Sequence, residues 1–181
     1  PVLLTLTVNG NDASCNGVCD GDATAVAAGG TGVLTYQWDA AGGLGTAATT
    51  GALCVGTAGV TVTDANGCSE TGSVVIAEPI AITLTPSSND ATCGAANGDV
   101  SVIAGGGTPG YTYLWDDAGT STTAAVGTLP AGTYTVIVTD ANSCTEIVAA
   151  TISDLGGGTA TALIDNQVSC FGICDGGATV T

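Results

Sequence analysis

The chain has no Lys, no Arg and no His among its 181 residues, while Asp and Glu together number 16, for a formal charge of -16. Nothing cationic is present to neutralise phosphate, which argues against nucleic acid and anionic lipid as partners. No side-chain salt bridge can form within the chain, and no Lys–Asn isopeptide bond can reinforce it. Catalysis is deprived of the imidazole base, the amine nucleophile and the guanidinium clamp. The aromatics come to only 2 Trp, 4 Tyr and 1 Phe, so any core is thin. There is no apolar run of membrane-spanning length and no leader-like segment, and the first residue is Pro1 rather than Met. The expectation is a processed product or a segment of something longer, without membrane insertion.

What is present is glycine, small apolar residues and cysteine: 29 Gly, a hydrophobic fraction of 45% and 8 Cys. That fraction argues against disorder, and ordered cysteines fit an oxidising, extracellular setting. The stretch Gly132–Cys144, G-T-Y-T-V-I-V-T-D-A-N-S-C, occurs again without a gap as G-T-A-G-V-T-V-T-D-A-N-G-C from Gly56 to Cys68. One set of alternate residues is apolar in both, the period of a strand with one buried face. Each strand then enters an Asp-Ala-Asn turn closed by Cys, with Asn and Gly available for left-handed backbone. The correspondence runs through the chain. Pro1 to Cys15 superposes on Pro79 to Cys93 at an offset of 78, Tyr36 and Trp38 fall on Tyr113 and Trp115 at 77, and Asp64 and Cys68 fall on Asp140 and Cys144 at 76. A third copy opens near Gly156, with Cys170 lying 77 beyond Cys93. The domains are therefore repeat one, residues 1–78, repeat two, residues 79–155, and the start of an incomplete third repeat, residues 156–181.

Each repeat reads as all strand. Val2–Val8, Asp22–Ala28, Val33–Trp38, Gly59–Thr63 and Thr71–Ala77 are short, rich in Thr and Val and separated by Gly, Asn and Asp, with a weaker strand between Gly45 and Ala52. Leu34, Tyr36 and Trp38 share one face, as do Tyr111, Tyr113 and Trp115. With Tyr134 they are assigned to the core, and Phe171 is left as the surface ring. The fold class that follows is all-β: tandem antiparallel sandwiches of immunoglobulin-like type, about 77 residues each and stapled by disulfides.

Comparing the repeats suggests how the cysteines pair. Repeat one has Cys15, Cys19, Cys54 and Cys68, whereas repeat two has Cys93 and Cys144, the equivalents of Cys15 and Cys68. Cys54 aligns with Pro130, and Cys19 falls where repeat two has Ala96-Asn97, so the two extra cysteines come and go together. The economical connectivity is Cys15–Cys68, Cys19–Cys54 and Cys93–Cys144, although four cysteines formally permit three pairings. A four-cysteine zinc site is disfavoured because repeat two has only two cysteines and no His can assist. Cys170 and Cys174 would need partners further along than Thr181 and are expected to be unpaired within this segment, completed by more chain or by a neighbouring molecule.

These motifs carry a family resemblance. The order C-N-G-V-C-D-G (15 to 21) and C-F-G-I-C-D-G (170 to 176), then G-G-T-P-G-Y-T-Y-L-W (106 to 115), then A-G-T-Y-T-V-I-V-T-D-A-N-S-C (131 to 144) resembles the SprB-type repeat of Bacteroidota surface proteins. Those repeats occur in very large gliding-motility adhesins and are related to PKD-like sandwiches. The resemblance implies a secreted module, exported by the type IX route and displayed at the cell surface as a filament or stalk. Repeat two departs from it in lacking the second cysteine pair, and the F-G-D-G of typical PKD domains is missing after Tyr-x-Trp-Asp.

Other chemistry is weighed against that expectation. Asp20 with Asp22, or Asp116 with Asp117, offers two carboxylates, but a glycosidase needs them on opposite sides of a cleft. Neighbours in a turn are more simply solvated, so no catalytic residue and no enzyme is expected. Calcium would suit the many oxygen ligands, yet no D-x-D-x-D-G series occurs, so no metal site or cofactor is assigned. Thr-x-Thr runs such as Thr61-Val62-Thr63 follow from strand alternation without an ice-binding face. The expected function is a structural or adhesive segment of a long extracellular, cell-surface repeat protein. Its partners would be neighbouring repeats and a target surface such as polysaccharide. The alternative is an accessory binding or spacer module beside a secreted enzyme; the shortage of outward aromatic rings favours the stalk.

Overall fold

The computed structural model describes residues 2–156, 162–166 and 177–180, and among them there is no helix. Repeat one supplies β1 (Thr5–Asn11), β2 (Gly21–Ala28), β3 (Thr35–Trp38), β4 (Thr49–Leu53), β5 (Gly56–Thr63) and β6 (Ser69–Ile76). They form two three-stranded antiparallel sheets, ordered β1-β2-β4 and β3-β5-β6. In β5 the alternation places Ala58, Val60 and Val62 inside, as period-two patterning requires. They join Ala23, Ala25, Trp38, Leu53 and Ile76 in one buried cluster, with Leu6, Val8, Leu34 and Tyr36 packed at its margin.

The first strand lies later than Val2–Val8. Its partner β2 ends at Ala28 because Gly29 and Gly30 turn away with φ of 80° and 69°, a conformation glycine adopts without penalty. A Cβ on Gly29 would stand 2.0 Å from the carbonyl oxygen of Leu3. Val2 and Leu3 therefore stay off the ladder and are exposed. At the other end the strand reaches Asn11, whose amide donates to both carboxylate oxygens of Asp22 at 3.0 Å. The weak strand expected in Gly45–Ala52 is β4, pairing with β2.

Repeat two supplies β7 (Thr83–Asn89), β8 (Ala91–Thr92), β9 (Gly98–Gly105), β10 (Thr112–Trp115), β11 (Ala125–Leu129), β12 (Gly132–Thr139), β13 (Thr145–Ile152) and β14 (Asp154–Leu155). The sheet orders β7-β9-β11 and β10-β12-β13 reproduce those of repeat one, and β8 and β14 add a short parallel pair. β15 (Ala162–Asn166) and β16 (Gly177–Val180) pair antiparallel. Cys170, Phe171 and Cys174 lie outside the described residues. By compactness the chain divides into one unit of Pro1–Pro86, Val102–Ala124 and Tyr134–Ala149 and another of Ser87–Ser101, Ala125–Thr133 and Ala150–Thr181; the first holds all of β1 to β6.

The aromatic positions sort by depth. Trp38 and Trp115 are 0% and 1% exposed, and each indole N–H is satisfied at 2.9 Å, by the carbonyl of Ala47 or Thr123. Tyr36, Tyr113 and Tyr134 are half-buried, since a phenol keeps its polar end near water.

Candidate interaction site

Two congruent turns hold the closing cysteines. Asp64, following β5, is buried, and its Oδ1 accepts the backbone N–H of Asn66 and of Cys68 at 2.9 Å, while Oδ2 accepts that of Thr31 at 2.9 Å. Asp140, following β12, does the same for Asn142 and Cys144 at 2.9 Å and for Thr108 at 2.8 Å. Burial acts on Asp64 to raise its pKa, but the N–H donors of Cys68, Thr31 and Asn66 outweigh it and hold the carboxyl below its ordinary value. Asp140 is likewise lowered, first by the Thr108 N–H, against burial, with help from Cys144 and Asn142. The left-handed backbone expected of these turns is present at Gly67 and Ser143, with φ of 83° and 70°, but the organising group is the buried carboxylate four residues before each Cys.

The opening turn after β1 is built differently. Asp12 accepts the Ala77 N–H at 2.8 Å, tying the turn to the end of its own repeat. Asp20 accepts the Ser14 hydroxyl and, at 2.8 Å, the Ser14 N–H, which together lower its pKa. Glu78 accepts the N–H of Gly17 at 2.7 Å and the amide of Asn16 at 3.0 Å, and Asn16 also donates to the Pro79 carbonyl at 3.2 Å. Cys15 is thereby held at the Glu78-Pro79 junction.

Cys15 is joined to Cys144, with Cα atoms 5.7 Å apart, and Cys19 is joined to Cys54. Cys68 and Cys93 are free thiols, both exposed. The connectivity expected for Cys15, Cys68, Cys93 and Cys144 is corrected accordingly: neither Cys15–Cys68 nor Cys93–Cys144 is formed. The reason is the length of β1. Cys15 lies past its Asn11 end, whereas Cys68 lines a groove with Val2, Leu3 and Leu4 at its Thr5 end. Seven residues of strand span roughly 20 Å, and a disulfide bridges Cα atoms only about 4.4–6.8 Å apart. The Cys15 turn meets instead the closing turn after β12. Asn142 donates its amide to the Ser14 carbonyl at 3.0 Å, and Cys15, Asn16 and Val18 share a groove with Ile80, Ile82 and Cys144.

The members of each acidic pair are engaged by other groups rather than by each other. Asp20 is engaged by Ser14 and Asp22 by Asn11. Asp116 accepts the Thr135 N–H at 2.8 Å, and Asp117 is buried, accepting the N–H of Ser121 at 2.8 Å and of Gly119 at 3.0 Å. Those donors, led by Ser121, hold Asp117 below the usual carboxyl range against burial. Among the described residues no three Cys, Asp or Glu side chains converge on a point that could hold a metal ion.

Among curated proteins none matches this chain. Of solved structures, DIP-gamma IG1+IG2 is 10% identical, with a TM-score of 0.38, covering 83% of this chain and 97% of that one. The BSP domain of a biofilm associated protein is 16% identical, with a TM-score of 0.29, covering 86% of this chain and 30% of that one. At such scores the architecture rests on the sheets described above. The SprB repeat model matches residues 7–43 and 82–120, two segments that start 75 residues apart and span the opening turn and the Tyr-x-Trp strand of each repeat. The SprB repeat model thus matches this chain twice, once in each repeat.

Proposed function

We propose that the chain is a non-catalytic structural and adhesive segment of a long secreted repeat protein, displayed at the cell surface as a filament or stalk of the kind used in gliding motility. The observation that carries this reading is the Cys15–Cys144 disulfide. It links the opening turn of one SprB repeat to the closing turn of the next, so tension along the chain passes through a covalent bond that bypasses 129 residues. Such a bypass suits a load-bearing stalk. The target would be a polysaccharide or other external surface, and the remaining contacts would be repeats of the same kind.

The test is surface labelling. Antibody raised against residues 1–155 should stain intact cells of the source organism, and mild external proteolysis should remove the stain. Staining confined to permeabilised cells would contradict a surface stalk.

A further inference from the structure

The groove beside Cys144 has a counterpart beside Cys68, and among the described residues a turn is seated on the first alone. At the filled joint Ile80, Ile82, Asp140 and Cys144 receive the Cys15 turn. At the other, Val2, Leu4, Asp64 and Cys68 stand at the equivalent positions, and Val2 is as exposed as its counterpart Ile80, 71% against 73%. The two frames match in their hydrogen bonds: Asp64 holds the Cys68 N–H as Asp140 holds that of Cys144, both at 2.9 Å. Asn66 occupies the place from which Asn142 reaches the Ser14 carbonyl. The difference lies in what sits on the frame. Cys144 is half-buried under the Cys15 turn, whereas Cys68 is an exposed thiol.

We propose that the Cys68 groove is a docking surface for the Cys-x-Gly-x-Cys opening turn of a preceding SprB repeat, and that Cys68 forms a disulfide with the first cysteine of that turn. The occupant is identified by the one already seated on the equivalent groove, and its chemistry fits: a thiol at the position of Cys15 for Cys68, and a backbone carbonyl at that of Ser14 for the Asn66 amide. Cys93, the counterpart of Cys15, is exposed at the opening turn of repeat two and stands ready for the closing turn of a following repeat. The staple then recurs once per repeat, always from one repeat to the next. In forming it the two thiols give up two protons and two electrons, and a disulfide oxidant takes them up to become two thiols. The inference concerns the joint between repeats and holds whatever surface the filament meets, so absent cell-surface labelling would leave it standing.

The test extends the full chain at its N-terminus by a copy of residues 1–78, so that Glu78 of the added copy meets Pro1 as Glu78 meets Pro79. Both chains are equilibrated with glutathione disulfide and an excess of glutathione, so that a lone cysteine returns from its mixed disulfide to the thiol, then alkylated and cleaved at Asp, because a chain without Lys or Arg gives trypsin nothing to cut. In the unextended chain the 64–89 peptide should be alkylated at Cys68. In the extended monomer that alkylation should be lost and the peptide found joined to a 12–19 peptide, with 140–153 still joined to the other 12–19 peptide. Changing Cys15→Ser in the added copy alone should restore alkylation. Full alkylation of Cys68 in the extended monomer, linkage seen only in covalent dimers, or release of 140–153 would overturn the proposal.

Discussion

Asp64 and Asp140 each answer three backbone N–H groups with one carboxylate, and that makes acid the natural probe of the turns. Their folded-state pKa values lie below the ordinary value, which is about 3.9 for an unfolded Asp. The stabilisation is therefore complete above that value and is lost as pH falls through the folded-state pKa. Most proteins gain repulsive positive charge in acid; this one, with no Lys, Arg or His, only loses charge, so the acid transition reports the caps. Circular-dichroism melts are expected to show a steady midpoint from pH 7 to about 5 and a decline below about 4. A midpoint that climbs continuously to pH 3 would mean that relief of carboxylate repulsion dominates. The double change Asp64→Asn and Asp140→Asn places an NH2 group against an N–H donor in each turn, and should lower the midpoint at neutral pH and shallow the acid decline. Trp38, wholly buried with its N–H satisfied, is the other sensitive residue: Trp38→Ala should cost about 3–5 kcal/mol in urea unfolding, and a loss under about 1 kcal/mol would mean that the ring is not the centre of the core.

Among elements, the strands were legible because their signals are local and occur twice. Val60, Val62, Val136 and Val138 alternate as a half-buried strand must, and all four are buried. What local pattern could not show was where each ladder stops or how closely its faces approach. β1 slid past Val2 and Leu3 because Gly29 ends its partner. Gly21 and Gly98 open β2 and β9, and a Cβ on either would lie 2.7 Å from Cγ2 of Ile76 or Ile152. Gly21→Ala should therefore destabilise by about 1–3 kcal/mol through overpacking, and in an Ile76→Ala background, which removes the Cγ2 it meets, the same change should cost less. If Gly21→Ala is neutral in thermal melts, the strands are further apart than described. The cysteines mark the same limit. Aligning Cys15 with Cys93 and Cys68 with Cys144 establishes which are equivalent, but equivalence is silent on whether a staple closes within a repeat or across two. Only the roughly 20 Å run of β1 decides that.

At the scale of the whole molecule, a thin core and a charge of -16 make covalent links a large part of the stability. On the chain-entropy model a link across 129 residues constrains the unfolded chain by about 5 kcal/mol, and one across 35 by about 4. Chelation of divalent ions is expected to leave the melting midpoint unchanged, since the buried carboxylates are already satisfied by N–H donors; a fall of several degrees would show that a cation belongs to the fold. The connectivity itself is the most direct measurement. After cleavage at Asp without reduction, the peptide 12–19, which holds both Cys15 and Cys19, should be recovered joined to 39–63 through Cys54 and to 140–153 through Cys144. Recovery of 12–19 joined to 64–89 through Cys68, or of 90–98 joined to 140–153, would place the staple inside single repeats and contradict the account of a chain stapled from each repeat to the next.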